Sequence, residues 1–309
     1  MTEQNRLFRI LDPDIEVPTG LHLVAAITGF TDAGASVQQL SQNILGNLNS
    51  ETIAVFDNDQ LLDYRSRRPV MFFEQDHIAD YQPAQICLSL VWDEVGNPFL
   101  FLNGYEPDFK WEAFADAIEE IFDYFDIADL TWVHSIPFPI PHTRPVGITV
   151  SGNQRAVIDK YSEWKPRTAV PGNIMHLLEH RLTRAGYPST GFVLLVPHYL
   201  SDSEYPAAAV TAFEMLTSHL GLVFPADELR DEGVAFLRRI AQEMVDKPDL
   251  ARMVEGLEKS FQSEKSANGM GAVKPRESEV PDADAIAAEL ESYLASHQKN
   301  NNDDEEGQD

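Results

Sequence analysis

The stretch PFPIPHTRPVGITVSGN (137–153) sets one histidine and one arginine among four prolines. Proline fixes φ and removes an amide donor, so this segment is extended and stiff. His142 and Arg144 therefore project from fixed places. An imidazole so held has the chemistry of a general base, and a guanidinium that of an anion clamp. A second Pro-His pair, in LVPHYLSDSEYP (195–206), puts His198 just after an apolar run. Two histidines leaving two strands are able to meet at one sheet edge. A rigid corner without chemistry accounts for the prolines equally well.

Three further segments carry candidate groups. TGFTDAG (28–34) lies between a strand-like and a helix-like run. Its glycines permit an unusual turn, and Asp32 or Thr31 is placed to cap the following helix. Such turns hold anions in open α/β sheets, but neither a dinucleotide fingerprint nor a Walker loop is present. FDNDQLLDYRSRRP (56–69) sets Arg65, Arg67 and Arg68 after Asp57, Asp59 and Asp63. Guanidinium forks bind carboxylates or phosphates, and they pair as readily with their own chain or another subunit. NGYEPDFKW (103–111) brings Glu106 and Asp108 before a helix, where the dipole favours carboxylates. Capping of that helix is the expectation.

Other chemistries are excluded more firmly. The single cysteine, Cys87, sits in the apolar run ICLSLVW and reads as a small buried hydrophobe. One cysteine allows neither an internal disulfide nor a cysteine-rich zinc site. No Gly-x-Ser-x-Gly elbow occurs. No cofactor or metal is called for by any motif.

The elements that must position these groups follow from periodicity. LHLVAAIT, TIAVF, RPVMFF, ICLSLVW, PFLFLN, TWVHSI, VGITVS and GFVLLVP read as strands. SVQQLSQNILGNL, WEAFADAIEEIFDYF, NIMHLLEHRLTRAG and PAAAVTAFEMLTSHLG read as helices, the last two closed by Gly186 and Gly221. Continuous apolar strands alternating with amphipathic helices give an α/β class, with a mixed sheet covered on both faces. This α/β core is expected over 1–225. A charged helical extension follows at 226–262, then a flexible linker at 263–280, a terminal helix at 281–298 and a disordered acidic tail at 299–309.

The net charge is −27, from 23 Lys and Arg against 50 Asp and Glu. That opposes nucleic acid and anionic membrane as partners, since both need a basic face. No apolar run of about 18 residues is present, and the start MTEQNRLFRILDPDIEVP is too polar for a secretory signal. A cytoplasmic protein is the expectation.

Taken together and in order, GFTDAG, FDNDQLLDYRSRRPVM, DEVGNPFLFLNGYEPDFKWEAF, SIPFPIPHTRPVGITVSGN, VPGN with LLEHRL, and LVPHYLSDSEYPAAAV resemble the proteasome assembly chaperone 2 family, in its actinobacterial branch. The resemblance implies a purine-nucleoside-phosphorylase-like fold, with a mixed central sheet flanked by helices. It implies a homo-oligomer, a trimer among the forms, and proteasome subunits as partners, without catalysis. Several relatives dock through a C-terminal hydrophobic-Tyr-X tail; here the end reads EEGQD, and the nearest tyrosine is Tyr293. The competing expectation is an enzyme with a phosphorylase-like cleft. It would use Arg65 or Arg144 for an anion and His142 or His198 for proton transfer.

Overall fold

A computed structural model describes residues 7–162, 165 and 167–268 of the chain. The strands are β1 (Phe8–Ile10), β2 (His22–Thr28), β3 (Asn49–Phe56), β4 (Val70–Glu74), β5 (His77–Gln82), β6 (Cys87–Trp92), β7 (Pro98–Tyr105), β8 (Asp129–Phe138), β9 (Gly147–Gly152) and β10 (Ser189–Pro197). The helices are α1 (Ser36–Asn47), α2 (Asn58–Leu61), α3 (Trp111–Phe125), α4 (Arg155–Tyr161), α5 (Ile174–Ala185), α6 (Pro206–Leu220), α7 (Asp227–Asp246) and α8 (Pro248–Asn268).

Eight strands form one mixed sheet in the order β1-β3-β6-β7-β2-β8-β10-β9. The central four, β7, β2, β8 and β10, run parallel, and the flanking pairs are antiparallel. The apolar runs are continuous because both faces are covered. Alternate residues of β2 show it directly. Leu23, Ala25 and Ile27 pack with Phe114, Ile118 and Phe122 of α3 and with Leu178 and Leu182 of α5. Val24 and Ala26 pack on the other side with Val37, Leu40 and Ile44 of α1 and Phe213 and Leu216 of α6.

Two regions differ from the expected outline. RPVMFF does form a strand, β4, but it pairs only with β5 in a separate two-stranded sheet. Every residue of both strands is exposed, so this hairpin is an arm and not part of the core. At the other end, α7 buries Leu229, Phe236 and Ile240 in the same core as α1 and α6. Its helix-forming stripe therefore completes the α/β body. Helix α8 runs to Asn268, into the segment expected as linker. The remainder of that linker, the terminal helix and the acidic tail lie outside the described residues. No described helix is long and apolar enough to cross a membrane.

Packing across β8 and β10 is tight at one point. A Cβ on Gly191 would stand 2.4 Å from Cε2 of Trp132 and 2.6 Å from Oγ of Ser151. The indole is fully buried, and its Nε1 donates to Glu179 at 2.9 Å, with Ser151 donating to the same carboxylate at 2.6 Å. Gly191→Ala is expected to lower stability by about 1–3 kcal/mol through overpacking, read by urea unfolding. At the same end of the parallel strands, His22 of β2 pairs with Asp129 of β8 at 2.7 Å. The hydrogen bond to Asp129 raises the imidazole above its usual range, against the effect of burial. A raised folded-state pKa gives stability that is complete below about pH 6.5 and lost as pH rises through the folded value. Thermal melts should therefore show a fall in Tm across this window that is smaller in His22→Gln.

Candidate functional site

The carboxyl ends of the parallel strands are where open α/β folds place ligands. Three loops meet there: 29–35 after β2, 139–146 between β8 and β9, and 198–205 after β10. Asp32 anchors the first. Its Oδ1 accepts from the Val37 amide at 2.9 Å and from Ser135 Oγ at 3.0 Å, and its Oδ2 accepts from the Gln38 amide at 3.0 Å. A parallel bridge between Asp32 and Ser135 adds to this contact. Asp32 thus caps α1 from across a short 3-10 turn, and the amides that could have met an anion are already satisfied. Gly34, at φ 71°, donates its amide to the Ser201 carbonyl and accepts from the Tyr205 amide, each at 2.8 Å. The first loop is therefore joined to the third.

His142 and His198 approach the same side chain from two loops. Tyr199 lies between them, with ring centroids 5.8 Å from His142 and 5.4 Å from His198. The Tyr199 hydroxyl accepts the His142 amide at 2.8 Å and lies 2.6 Å from its Nδ1. The hydroxyl thus ties both the backbone and the ring of His142 to the third loop. Burial pushes the His142 imidazole down, outweighing the upward pull of the Glu258 charge. His198 is exposed.

Arg144 turns to α8. Its Nη2 and Nε donate to Oε2 of Glu258 at 2.6 and 3.0 Å, while Thr143 donates to Oε1 of the same carboxylate. The guanidinium also lies 5.7 Å from the Phe261 ring. The hydrogen bonds from Thr143 and Arg144 hold the Glu258 carboxyl below its usual range. The proline-stiffened loop is thus the seat on which α8 is fastened.

The arginine cluster reaches from this rim to the arm: a Cβ on Gly29 of the first loop would stand 3.0 Å from Arg67 Nη2, whereas Arg65 and Arg68 lie at the root of the arm. Arg67 pairs with Asp108 and covers the Tyr105 ring at 5.3 Å. Asp108 also accepts from the Asp63 amide at 2.8 Å. Arg65 donates its amide to Asp63 Oδ1 at 2.9 Å, and its side chain and that of Arg68 are exposed. The expected capping of α3 by Glu106 and Asp108 does not occur. Glu106 Oε1 accepts from Ile174 at 2.7 Å, at the start of α5, because the sheet brings that helix end beside β7. Lys110 precedes α3 in a left-handed conformation without a side-chain cap.

His134 lies in β8. It is buried beneath Phe30, with ring centroids 5.8 Å apart and planes 13° apart. Burial, with His176 adding to it, pushes the imidazole down to about 4. Its Nε2 has no hydrogen-bond partner among the described residues. The alternation in TWVHSI carried the signal, since it puts His134 on the same face as Trp132. His176 itself accepts the Asn173 amide at 3.2 Å, and Asn173 accepts the His176 amide at 2.8 Å, a reciprocal cap on α5. Cys87 is half-buried, and burial pushes its thiol up, away from nucleophile chemistry.

Among the described residues no cluster of three or more His, Cys, Asp or Glu side chains is arranged to hold a metal ion. A groove of about 870 Å³ runs along β1 and the root of the arm. It is lined by none of Asp32, Arg65, Arg67, Arg68, His142, Arg144 or His198. The rim therefore joins Asp32, His142 and His198 through Ser135, Tyr199 and the Gly34 amide, with Arg67 against Gly29 and only Arg65 and Arg68 exposed beside the arm. Glu258→Gln should loosen α8 at a cost of about 1 kcal/mol, the scale of a half-exposed ion pair. Faster amide exchange over 248–262, with unchanged exchange in β8 and β10, is the expected readout.

Among curated proteins no relative matches the sequence. Solved structures do. A Corynebacterium glutamicum protein of unknown function superposes with TM-score 0.81 at 31% identity, covering 85% of this chain and 100% of its own. The Mycobacterium tuberculosis protein Rv2714, also of unknown function, gives TM-score 0.79 at 32% identity over 86% of this chain and 92% of its own. The Mycobacterium tuberculosis proteasome-assembly chaperone homologue Rv2125 gives 0.69 at 22% identity, covering 76% and 100%, a likeness of fold alone. The PAC2 family model matches residues 26–244, a span that holds β7, β8, β10, the end of β2 and all three rim loops, and the chain belongs to the PAC2 family.

Proposed function

We propose that this chain is a proteasome-assembly-type chaperone, a non-catalytic homo-oligomer that works by binding protein surfaces in the cytoplasm. The observation that carries this reading is the β4–β5 arm. Val70, Met71, Phe72, Phe73, Ile78 and Tyr81 are each 50–68% exposed on it. Pairing sets Met71 opposite Tyr81 and Phe73 opposite Ile78, so these four share one face. A lone hairpin is marginal in water. The four side chains of that face make one contiguous exposed apolar surface, and such patches mark interaction sites. We read Met71, Phe73 and Ile78 of this face as a contact between copies. Arg65 and Arg68, exposed at its root, are cations that the acidic surface of a second copy complements.

Proteasome subunits enter as partners through the family and through the assembly-chaperone homologue from Mycobacterium tuberculosis that shares the fold. The enzyme alternative needs His142, His198, Arg65 and Arg144 turned to a common ligand. The bonds of His142 to Tyr199 and of Arg144 to Glu258 favour structural work for two of them.

Deleting everything after residue 225 would strip Leu229, Phe236 and Ile240 from the core, so the arm is the cleaner probe. Sedimentation should show an oligomer for the wild type and a shift toward monomer for the Met71→Ser/Phe73→Ser double variant. Wild-type protein used as bait in its native host should recover proteasome subunits. A wild-type monomer, or repeated recovery of no such subunit, counts against the reading.

A further inference from the structure

The groove of about 870 Å³ lies at the open edge of the main sheet. Its floor is strand β1, which pairs with β3 on one side only. The direction of its free peptide groups follows from two bonds. Asp57 donates its amide to the Leu7 carbonyl at 2.8 Å, and Leu11 donates its own to the Ile53 carbonyl at 2.9 Å. These bracket Arg9, which pairs with Val55. In an antiparallel ladder alternate residues bond to the same neighbour, so the peptide groups of Phe8 and Ile10 point away from β3. An edge so presented is a template for one more strand.

The walls fix what kind of strand. Tyr64, Tyr81 and Tyr124 line the groove from three elements: the segment after α2, the arm and α3. Asp57 and Asp59 stand beside them. Tyr64 donates to Asp59 Oδ1 at 2.5 Å and Gln60 to Asp57 Oδ2 at 2.6 Å, which leaves one oxygen of each carboxylate for another donor. Arg9 also lines the groove, so one cation faces two carboxylates there. Aromatic faces next to carboxylates favour a cation over an anion. The surrounding charge of −27 draws a basic partner toward the site.

We infer that this groove takes an extended segment of a partner protein as an added strand on β1, with a lysine or arginine of that segment lodged among the tyrosines beside Asp57 and Asp59. The inference rests on the protein-binding reading above and gives that binding a place and a chemistry. Backbone pairing supplies general affinity, and the tyrosine-carboxylate wall supplies the preference for a basic side chain.

The test uses the full chain and a fluorescent, end-capped seven-residue peptide alternating valine and lysine, read by anisotropy. Three controls accompany it: the same peptide with glutamate for lysine, one with N-methylated amides, and spermidine as competitor. The lysine peptide is expected to bind at least tenfold tighter than the glutamate peptide. N-methylation should abolish binding, and Asp59→Asn and Tyr124→Ala should each weaken it several-fold while thermal melts stay unchanged. Equal affinity for both charges, indifference to N-methylation, or full displacement by micromolar spermidine would overturn the proposal. So would binding that both substitutions leave intact. If no peptide binds while the wild type still captures proteasome subunits, the groove assignment falls and the chaperone reading stands. If the lysine peptide binds as expected and no subunit is captured, the groove assignment stands and the proteasome reading falls.

Discussion

Three donors converge on the Asp32 carboxylate: the amides of Val37 and Gln38 and the hydroxyl of Ser135. Those bonds tie the loop after β2 to the start of α1 and to β8 at once. Helix α1 could not otherwise begin with its amides satisfied, because Ala35, directly before it, adopts a left-handed conformation with no side-chain cap. The tie also draws the loop across the ends of β2 and β8, where an α/β sheet would open a crevice. From there Gly34 passes the constraint to Ser201 and Tyr205, and Tyr199 passes it to His142. The rim is one connected network, and α8 is its last member through Glu258.

Charge is managed by the same economy of cations. Lys and Arg number less than half of Asp and Glu, and three arginines of the body each serve several carboxylates or a carboxylate and a ring. Arg181 is the clearest case. It reaches Glu112 at 3.0 Å, Asp116 at 2.5 Å and Glu119 at 2.8 Å, all on α3, and so fastens α5 to α3 over an otherwise repulsive face. A planar fork with five donors permits this where an ammonium would not. Arg67 and Arg144 do the same work in pairs with Asp108 and Glu258, each also lying over an aromatic ring. Arg65 and Arg68 differ from these three, being exposed beside the arm.

Much of the body was legible from periodicity. The apolar runs at 21–28, 98–103, 131–136 and 191–197 became the four parallel strands because a strand buried on both faces has no alternation to hide. Helices closed by Gly186 and Gly221 ended there, each glycine in the left-handed region. The residues of the rim were also visible as types: a histidine and an arginine among prolines, an aspartate in a glycine turn. Their partners were not. Tyr199 and Glu258 lie 57 and 114 residues from His142 and Arg144 along the chain. Glu106 was read against the helix next to it in sequence, whereas its amide donor belongs to α5, 68 residues away.

The sequence by itself determined which segments are strand and helix, that the sheet is covered on both faces, and which family the motifs resemble. Each of these depends on local patterns of apolar residues, glycines and prolines, and such patterns survive in a linear string. The tertiary structure alone decided that RPVMFF is an arm and that α7 completes the core. It also decided that the His142–Arg144 loop seats α8. An apolar β-strand carries the same residues whether it meets its own chain or another. A histidine or arginine carries the same charge whether it meets a ligand or a distant tyrosine and glutamate. Only the packing of segments far apart in sequence selects between those outcomes, because burial and hydrogen-bond partners are properties of the neighbours and not of the residue.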